Sequence, residues 1–287
     1  MKCLWIQQHQ GEFAVRDLCR MLKVSTSRFY EWQAQPVGRR QAYHDELAQQ
    51  IEQVHRDSRG VYGSPRIASV LKARGVKVCR NTIAKVMKQR QIQAKTRKRF
   101  VPRTTDSRHD HPVAVNRLQR DFSAPRPNAK WVADLTYIPT GEGWLYLAAL
   151  LDLYSRKIVG WSMANHLRAP LAIEALNMAV ALRRPSPGLI HHSDRGVQYA
   201  CDAYQRLLLR HGMVCSMSGV GNCYDNAAME SFFSTLKTEC VYPRKFATQR
   251  EARQTIFEYV EVTYNRIRPH SSLGYVSPEA FEAARTG

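Results

Sequence analysis

Three acidic residues lie at spacings that suit metal-dependent phosphate chemistry. Asp194 directly follows the short apolar run 189–193, and Glu230 lies on a predicted helix with 35 residues between the two carboxylates. A third, Asp134, lies upstream in the strand-like run 131–138. Carboxylates that meet from different elements repel one another, and a divalent cation relieves that repulsion. The pattern therefore predicts a metal site built from Asp134, Asp194 and Glu230.

Oxygen ligands of this kind favour Mg²⁺ or Mn²⁺ over zinc, and two such ions suit phosphoryl transfer. Asp152 is the alternative first carboxylate, because it also follows an apolar run. His191 and His192 precede Asp194, and we expect buried, hydrogen-bonded histidines there rather than metal ligands, since neither has a partner at metal-ligand spacing.

The elements that must position these carboxylates alternate between strands and helices. Apolar runs predict strands at 131–138, 144–153, 157–163, 189–193 and 213–217. Helical spacing predicts a helix over 170–182, another through Tyr204 to Leu209, and a long helix from about Asp225. This order predicts an α/β catalytic core of the ribonuclease H-like type.

The front half of the chain is a different kind of segment. The formal net charge is +19, but residues 1–127 hold 26 basic against 10 acidic residues, while residues 128–287 hold 17 against 14. Such asymmetry indicates an anion-binding module attached to a nearly neutral enzyme core. A generally basic protein without a nucleic-acid partner is the alternative.

A helix, turn and helix are predicted over 12–33. Phe13, Leu18 and Leu22 supply one apolar face, and Ser25 is the predicted N-cap of the second helix. That helix would enter the DNA major groove with Thr26, Ser27 and Arg28 at its start. A small hairpin that only packs is the alternative.

A second helical segment covers 43–91, followed by a basic stretch. Helices are predicted over 45–56, from Ser64-Pro65 to Gly75, and over 81–91. The run 95–108 is too charged to fold alone and would follow phosphates or act as a solvated tether. Its candidate phosphate contacts are Lys95, Arg97, Lys98 and Arg99.

Cysteine usage and hydropathy give the expected compartment. The seven cysteines form no C-x-x-C pair, which indicates reduced thiols. No signal peptide is evident, and the apolar run 145–153 is too short to span a bilayer. We therefore expect a soluble protein of the cytoplasm with no membrane partner.

Four motifs together resemble one family. WVADLTYIPT, HHSDRGVQYA, YDNAAMESFFSTLKTE and YNRIRPHSSLGYVSPEAF occur in this order and are similar to the signatures of the B reading frame of insertion-sequence family 3 transposases, within the DDE transposase and retroviral integrase superfamily. The resemblance implies four segments: a helix-turn-helix at 1–36, a second at 43–92, a basic and proline-containing linker at 93–127, and an integrase core with a helical tail at 128–287.

The resemblance also implies an activity and further site residues. It implies metal-dependent 3′-end DNA cleavage and strand transfer, with two Mg²⁺ (or Mn²⁺) ions per site and Asp152 on the second strand rather than in the site. Helical spacing places Lys237, seven residues after Glu230, on nearly the same helix face, where it would contact the phosphates of the element's end or, in the alternative, only face solvent. Asn226, one turn before Glu230, shares this face and would contact DNA or orient Glu230. Arg80, Asn81 and Lys85 would start the DNA-reading helix of the second helix-turn-helix. For the tail, packing is favoured over DNA contact.

Partners and rival functions complete the expectations. Double-stranded DNA, as element ends and target, is the expected partner, bound by a homo-oligomer. The resemblance implies an active protein fused to an upstream frame that carries a helix-turn-helix and a leucine zipper. No heptad run follows Met1 here, so an upstream-frame protein, fused or separate, is a further expected partner. The rivals are a structure-selective nuclease on the same core and a catalytically inert DNA-binding regulator.

Overall fold

The computed structural model describes residues 1–34, 39–95, 112–219 and 223–286. The chain divides into two compact units, Met1–Ala94 and Lys95–Gly287. Arg97, Lys98 and Arg99, three of the predicted phosphate contacts, lie outside the described residues.

The first helical group contains one helix more than predicted. Its helices are α1 (Lys2–His9), α2 (Val15–Met21) and α3 (Thr26–Ala34). Ser25 caps α3 as predicted, since its Oγ accepts a hydrogen bond from Arg28 N–H over 3.2 Å. The predicted apolar face was wrong in one member: Phe13 is 57% exposed, because Ile6 of α1 fills the core instead.

Three longer helices follow: α4 (Arg39–Asp57), α5 (Ser64–Ala73) and α6 (Arg80–Gln89). Helix α4 starts six residues before the predicted Asp45. Ser64 is the first residue of α5 rather than its N-cap, a position taken by Gly63. Cys79 caps α6 through its Sγ, which accepts from Thr82 N–H. Their shared core consists of buried aliphatic side chains, chiefly Leu47, Ile51, Ile67, Leu71 and Ile83.

A five-stranded sheet forms the centre of the second unit. Its strands are β1 (Lys130–Thr140), β2 (Gly143–Asp152), β3 (Ile158–Ala164), β4 (Ile190–Ser193) and β5 (Val214–Met217). The spatial order is β3-β2-β1-β4-β5. The first three strands are antiparallel, whereas β1 pairs with β4, and β4 with β5, in parallel.

Helices cover both faces of this sheet. One apolar cluster packs β1 and β2 against α10 (Ala227–Leu236) and α11 (Gln249–Glu258). The other packs the opposite face against α7 (Ala169–Arg183), α8 (Val197–Ala200) and α9 (Asp202–Arg210). Because helices cover both faces of the sheet, the central strands β1 and β2 bury side chains at consecutive positions and not only at alternate ones. This is the ribonuclease H-like fold expected from the sequence.

The tail packs on the core. Helices α10 and α11 each continue as a π-helical segment, Lys237–Val241 and Tyr259–Ile267, and α12 (Pro278–Thr286) ends the described chain. A buried ion pair joins the two segments, since Arg268 Nη2 lies 2.9 Å from Glu239 Oε1. The side chain of Arg268 is therefore buried within the core and not on the surface. No helix in the described ranges has the length and apolar character needed to cross a membrane.

Candidate active site

Parallel pairing of β1 with β4 brings Asp134, which lies within β1, near Asp194, which follows the end of β4. Strands β1 and β4 pair from Lys130↔Ile190 to Val132↔His192. Asp194 directly follows the last residue of β4, and Asp134 lies two residues beyond the last pair on β1. The carboxyl ends of adjacent parallel strands form the crevice in which open α/β sheets bind ligands.

Asp134 lies in a strongly anionic and partly desolvated environment. Its Oδ1 accepts a hydrogen bond from Leu135 N–H over 2.8 Å. Burial raises the pKa of the Asp134 carboxyl well above its usual range, and the charge of Asp194 raises this pKa further. The hydrogen bond from Leu135 and the charge of Lys237 lower the pKa of Asp134, whereas the charge of Glu230 raises it. The three carboxylates and Lys237 therefore act on one another electrostatically.

The turn after β4 holds the second carboxylate. Asp194 Oδ1 accepts a hydrogen bond from Gly196 N–H over 2.9 Å. A Cβ on Gly196 would lie 2.8 Å from Gln198 Oε1 and 3.0 Å from Asp194 Oδ1, closer than side chains normally approach. Only glycine lets the backbone come near enough to orient Asp194 without displacing it.

The third carboxylate and the lysine lie on helix α10 and its continuation. Glu230 is in the first turn of α10 and is exposed. Lys237 begins the π-helical segment, and its Nζ lies 4.8 Å from the ring centroid of Tyr137 on β1. Burial lowers the pKa of Lys237, and the charge of Asp134 opposes this change.

The chemistry of these donors fits a divalent cation. All three are carboxylates, and a cation between them would offset the repulsion that raises the pKa of Asp134. Within the described residues, however, no three His, Cys, Asp or Glu side chains are already grouped closely enough to hold a metal ion. The three carboxylates lie around one crevice, but in this structure they are not close enough together to form a complete metal site.

Both histidines before Asp194 are buried and hydrogen-bonded, as expected. His192 contacts Ser216 Oγ over 2.8 Å through Nδ1 and Ser218 Oγ over 3.2 Å through Nε2. His191 Nε2 contacts Tyr204 Oη over 2.9 Å. Burial lowers the pKa of His191 to about 3 and that of His192 to about 4, so both rings are neutral at neutral pH.

Asp152, the rival first carboxylate, has a structural role. It is fully buried at the end of β2, where Oδ2 accepts from Asn128 N–H over 2.8 Å and Oδ1 from Tyr154 N–H over 2.9 Å. Arg183 Nη2 lies 3.4 Å from the same carboxylate. With both oxygens engaged and no solvent access, Asp152 is not placed to bind a substrate or an ion.

Asn226 does not lie where a DNA-contacting side chain would. It is buried, and its Nδ2 donates to the carbonyl oxygen of Ala133 over 3.2 Å. Because the Asn226 side chain is buried, it is not accessible to DNA. The structure therefore corrects the expected DNA contact and favours the alternative, in which Asn226 orients Glu230. The bond joins the start of the Glu230 helix to the residue before Asp134.

Sequence reasoning missed Asp225. This buried carboxylate accepts hydrogen bonds from Asn116 Nδ2 (2.9 Å), Arg120 Nε (3.3 Å) and Gly219 N–H (2.8 Å). It thereby fixes the segment before the sheet to the start of the Glu230 helix. An aspartate ahead of a helix resembles an ordinary cap, so no local signal identifies this role.

The predicted DNA contacts in the first unit are on the surface. Arg28 lies in the first turn of α3, and Arg80, Asn81 and Lys85 lie on α6; all four are exposed. Lys95 is also exposed. These positions are accessible to a nucleic acid.

Three family models match the chain. Residues 124–223 and 211–278 match two models described as "Integrase core domain". Residues 42–100 match a model described as "HTH-like domain". The matched ranges include the sheet, Asp134, Asp194 and Glu230.

Curated relatives cover nearly the whole chain. "Transposase InsF for insertion sequence IS3A" of Escherichia coli (strain K12) is 41% identical over 284 residues, covering 98% of each chain. "Insertion element IS600 uncharacterized 31 kDa protein" of Shigella sonnei is 43% identical over 265 residues, covering 92% of this chain and 97% of its own.

Solved structures show weaker similarity. A simian T-cell lymphotropic virus intasome in complex with PP2A regulatory subunit B56 gamma is 15% identical, with 81% of this chain and 74% of that chain covered and a TM-score of 0.47. The HTLV-2 integrase catalytic core domain in complex with magnesium (trimeric form) is 14% identical, with coverages of 56% and 99% and a TM-score of 0.41.

Proposed function

The chain belongs to the IS3 family of insertion-sequence transposases, and we propose that Asp134, Asp194 and Glu230 form its catalytic site. It is a DNA transposase with an integrase core and an HTH-like region. The observation that carries the site assignment is the pairing of β1, which contains Asp134, with β4, which ends directly before Asp194, together with the action of Glu230 and Lys237 on the Asp134 carboxyl.

The proposed reaction consists of a hydrolysis followed by a transesterification. Water first attacks the phosphodiester at the element's end, which breaks the bond to the leaving 3′-oxygen and frees a 3′-hydroxyl. That hydroxyl then attacks a target phosphodiester, joining the two DNAs and releasing the target's 3′-oxygen. Two Mg²⁺ or Mn²⁺ ions, held by the three carboxylates, would activate the attacking oxygen and stabilise the leaving one.

The protein residues perform the remaining tasks. Gly196 N–H keeps Asp194 oriented, and Asn226 ties the Asp134 strand to the Glu230 helix. Lys237 supplies a positive charge beside Asp134, where the phosphate backbone would pass. Asp134 must lose its proton before it binds a cation, and the neighbouring anions oppose that loss until the cation arrives.

The basic front half would provide most of the DNA affinity. Arg28 on α3 and Arg80, Asn81 and Lys85 on α6 are exposed at or near helix starts, where helix-turn-helix proteins contact base edges and phosphates. The segment boundaries proposed from the sequence (1–36, 43–92, 93–127 and 128–287) assign these helices to two DNA-binding segments. A homo-oligomer on DNA, an upstream-frame partner, and location in the cytoplasm at the nucleoid belong to the same proposal.

A strand-transfer assay tests the site. The substrate is a duplex carrying the end of the insertion element that encodes this chain, with and without Mg²⁺. We expect Asp134→Asn, Asp194→Asn and Glu230→Gln each to abolish cleavage and joining while leaving DNA affinity unchanged, because each removes a ligand and not an apolar contact. Asp202→Asn, which removes an exposed carboxylate on α9, is the matched control.

The same assay separates the two rivals. A nuclease would cleave and not join, and an inert regulator would bind and do neither. Cleavage near the wild-type rate in any of the three variants would remove that residue from the site.

A further inference from the structure

An aromatic cluster lies on the surface next to the candidate site. Tyr137 on β1 and Trp144 on β2 pack edge to face, with ring centroids 4.8 Å apart and an interplanar angle of 83°. Lys237 Nζ lies over the Tyr137 ring, 4.8 Å from its centroid. Trp144 is 50% exposed, so the cluster presents a large indole surface to solvent.

The cluster is linked to the candidate site through two elements. Tyr137 lies three residues after Asp134 on β1. Lys237, whose Nζ lies over the Tyr137 ring, directly follows the helix that carries Glu230. Tyr242 follows the π-helical segment that begins at Lys237 and is 38% exposed. Because Lys237 already occupies one face of Tyr137, the aromatic surface open to a ligand is chiefly that of Trp144.

The hairpin that carries Trp144 is held rigidly. Gly141 N–H donates to Phe246 O over 2.9 Å, and a Cβ on Gly141 would lie only 2.5 Å from Ala247 O. Gln249 bonds both sides of the hairpin, with its backbone N–H donating to Glu142 Oε2 over 2.8 Å and its Nε2 to Trp144 O over 3.4 Å. A fixed aromatic surface loses little entropy on binding, which favours stacking.

A second exposed aromatic pair on the same unit provides the comparison. Trp161 and Phe257 also pack edge to face, with centroids 5.8 Å apart, and Phe257 is 52% exposed. There the neighbouring charge is acidic, since Trp161 Nε1 donates to Glu261 Oε1 over 2.7 Å. An anionic ligand therefore favours the pair beside Lys237 over the pair beside Glu261.

We propose that Trp144, supported by Tyr137 and Lys237, is a stacking site for an unpaired nucleobase of the DNA held at the catalytic crevice. Bases inside a duplex are already stacked on both faces, whereas an unpaired base offers a free face to an indole. Aromatic side chains combined with a cation are the usual means of holding single-stranded nucleic acid. The inference rests on the proposed function, because it takes the ligand of the crevice to be DNA.

The unpaired base has two sources with the same chemistry. It can belong to the strand flanking the element's end, or to target DNA opened near the joining point. A duplex with a three-thymidine 5′ tail represents the first source, and a duplex with an internal three-thymidine bubble represents the second. A fully paired blunt duplex of the same length is the reference for both.

The test measures binding of these probes to the full chain in EDTA. Because no divalent ion is present, the result does not depend on catalysis, so failure of the metal-site assignment and failure of the stacking site are distinguishable. We expect Trp144→Ala to weaken binding to the tailed or the bubble duplex by about 5-fold or more, the effect of losing one stacked base. Binding to the blunt duplex should not change, and Trp144→Phe should retain most of the affinity.

Phe257→Ala is the matched control and should bind all three probes like the wild type. A second measurement uses 5-iodouracil in place of one unpaired thymine, with ultraviolet cross-linking and mass spectrometry. The cross-link should fall on the peptide that contains Trp144. Equal losses on paired and unpaired probes, an equal loss in Phe257→Ala, no loss in Trp144→Ala, or a cross-link mapped elsewhere would each overturn the proposal.

Discussion

Asn226 Nδ2 donates to the carbonyl oxygen of Ala133 over 3.2 Å. Asn226 occupies the N-cap position of α10, but its side chain caps no helical N–H. Among the described residues its buried Oδ1 has no hydrogen-bond partner. The side chain is therefore used to join the strand of Asp134 to the helix of Glu230, one turn before the glutamate, rather than to stabilise the helix end.

This bond leads to the first prediction. Asn226→Ala should reduce the cleavage rate about 10-fold or more, the usual cost of losing a residue that orients metal ligands. Higher Mg²⁺ should recover part of the loss, because added cation compensates for poorly oriented carboxylates. DNA affinity should stay at the wild-type value. Weaker DNA binding with an unchanged cleavage rate at saturating DNA would instead assign Asn226 to DNA contact.

The second prediction concerns the hydrogen bonds that Asp225 accepts from Asn116, Arg120 and Gly219. Asp225→Asn should lower the free energy of unfolding by ~1–3 kcal/mol, because the buried carboxylate is the charged acceptor for donors from Asn116 and Gly219. Urea unfolding of the full chain measures this change. Asp121→Asn is the control, since its ion pair with Lys130 is on the surface and its loss should have little effect. Equal losses of unfolding free energy in the two variants would contradict the stabilising role proposed for the Asp225 hydrogen bonds.

The third prediction concerns pH. Because the pKa of Asp134 is raised in the folded chain, the folded state keeps this proton to a higher pH than the unfolded state does. The free energy of unfolding therefore falls as the pH rises from the ordinary aspartate pKa of about 3.9 through the folded value. Asp134→Asn removes that penalty and should raise the Tm at pH 7.5 without metal by about 2–4 °C, with no difference near pH 4.

Metal addition provides the control for that experiment. Mg²⁺ should raise the Tm of the wild type and have little effect on Asp134→Asn, because the variant lacks one of the proposed ligands. A Tm difference between the two proteins that is the same at both pH values would show that the Asp134 charge does not cause it.

The buried ion pair of the tail is the fourth prediction. Arg268→Met leaves Glu239 buried and without its main cationic partner, and should cost ~3–5 kcal/mol of unfolding free energy. Adding Glu239→Gln should restore part of this stability, since the second change removes the isolated charge. Thermal unfolding of the two single variants and the double variant measures the coupling. Strictly additive effects would show that the pair does not act as a unit.

Lys237 is the subject of the fifth prediction. Lys237→Ala should weaken both cleavage and joining at limiting DNA and reduce the salt slope of binding by about 0.9, the value for one phosphate contact. Lys237→Arg should recover part of the loss, because the charge matters more than its shape. If Lys237→Ala carried out strand transfer at the wild-type rate at limiting DNA, Lys237 would be a solvent-facing lysine without a phosphate contact.

Local sequence patterns predicted the elements of the core well. The strands at 131–138, 144–153 and 157–163 lie within or almost within β1, β2 and β3, because continuous apolar runs bounded by turns need no distant information. The same patterns assigned Asp134 and Asp194 to strands or strand ends and Glu230 to a helix. Capping of α3 by Ser25 was also predictable, since its Oγ accepts a hydrogen bond from a backbone N–H three residues ahead.

Patterns of short range failed where a distant residue decides the outcome. Phe13 fits an apolar helical face by spacing, but Ile6 of the unpredicted α1 occupies the core that this face was expected to fill. The π-helical segments after α10 and α11 likewise have no sequence period of their own. They include or adjoin the residues of the Glu239–Arg268 pair, whose partners lie 29 residues apart.

The sequence alone determined the chemical type of the proposed site, because carboxylates within a strand, directly after a strand and in the first turn of a helix are readable from composition and spacing. Only the tertiary structure decided which side chains hold that site together. Asn226 reaches Ala133 across 93 positions, and Asp225 reaches Asn116 across 109. Such hydrogen bonds depend on how the sheet and helices pack. The periodicity of apolar residues along the sequence predicts helices and strands, but it does not predict which buried polar groups will be hydrogen-bond partners.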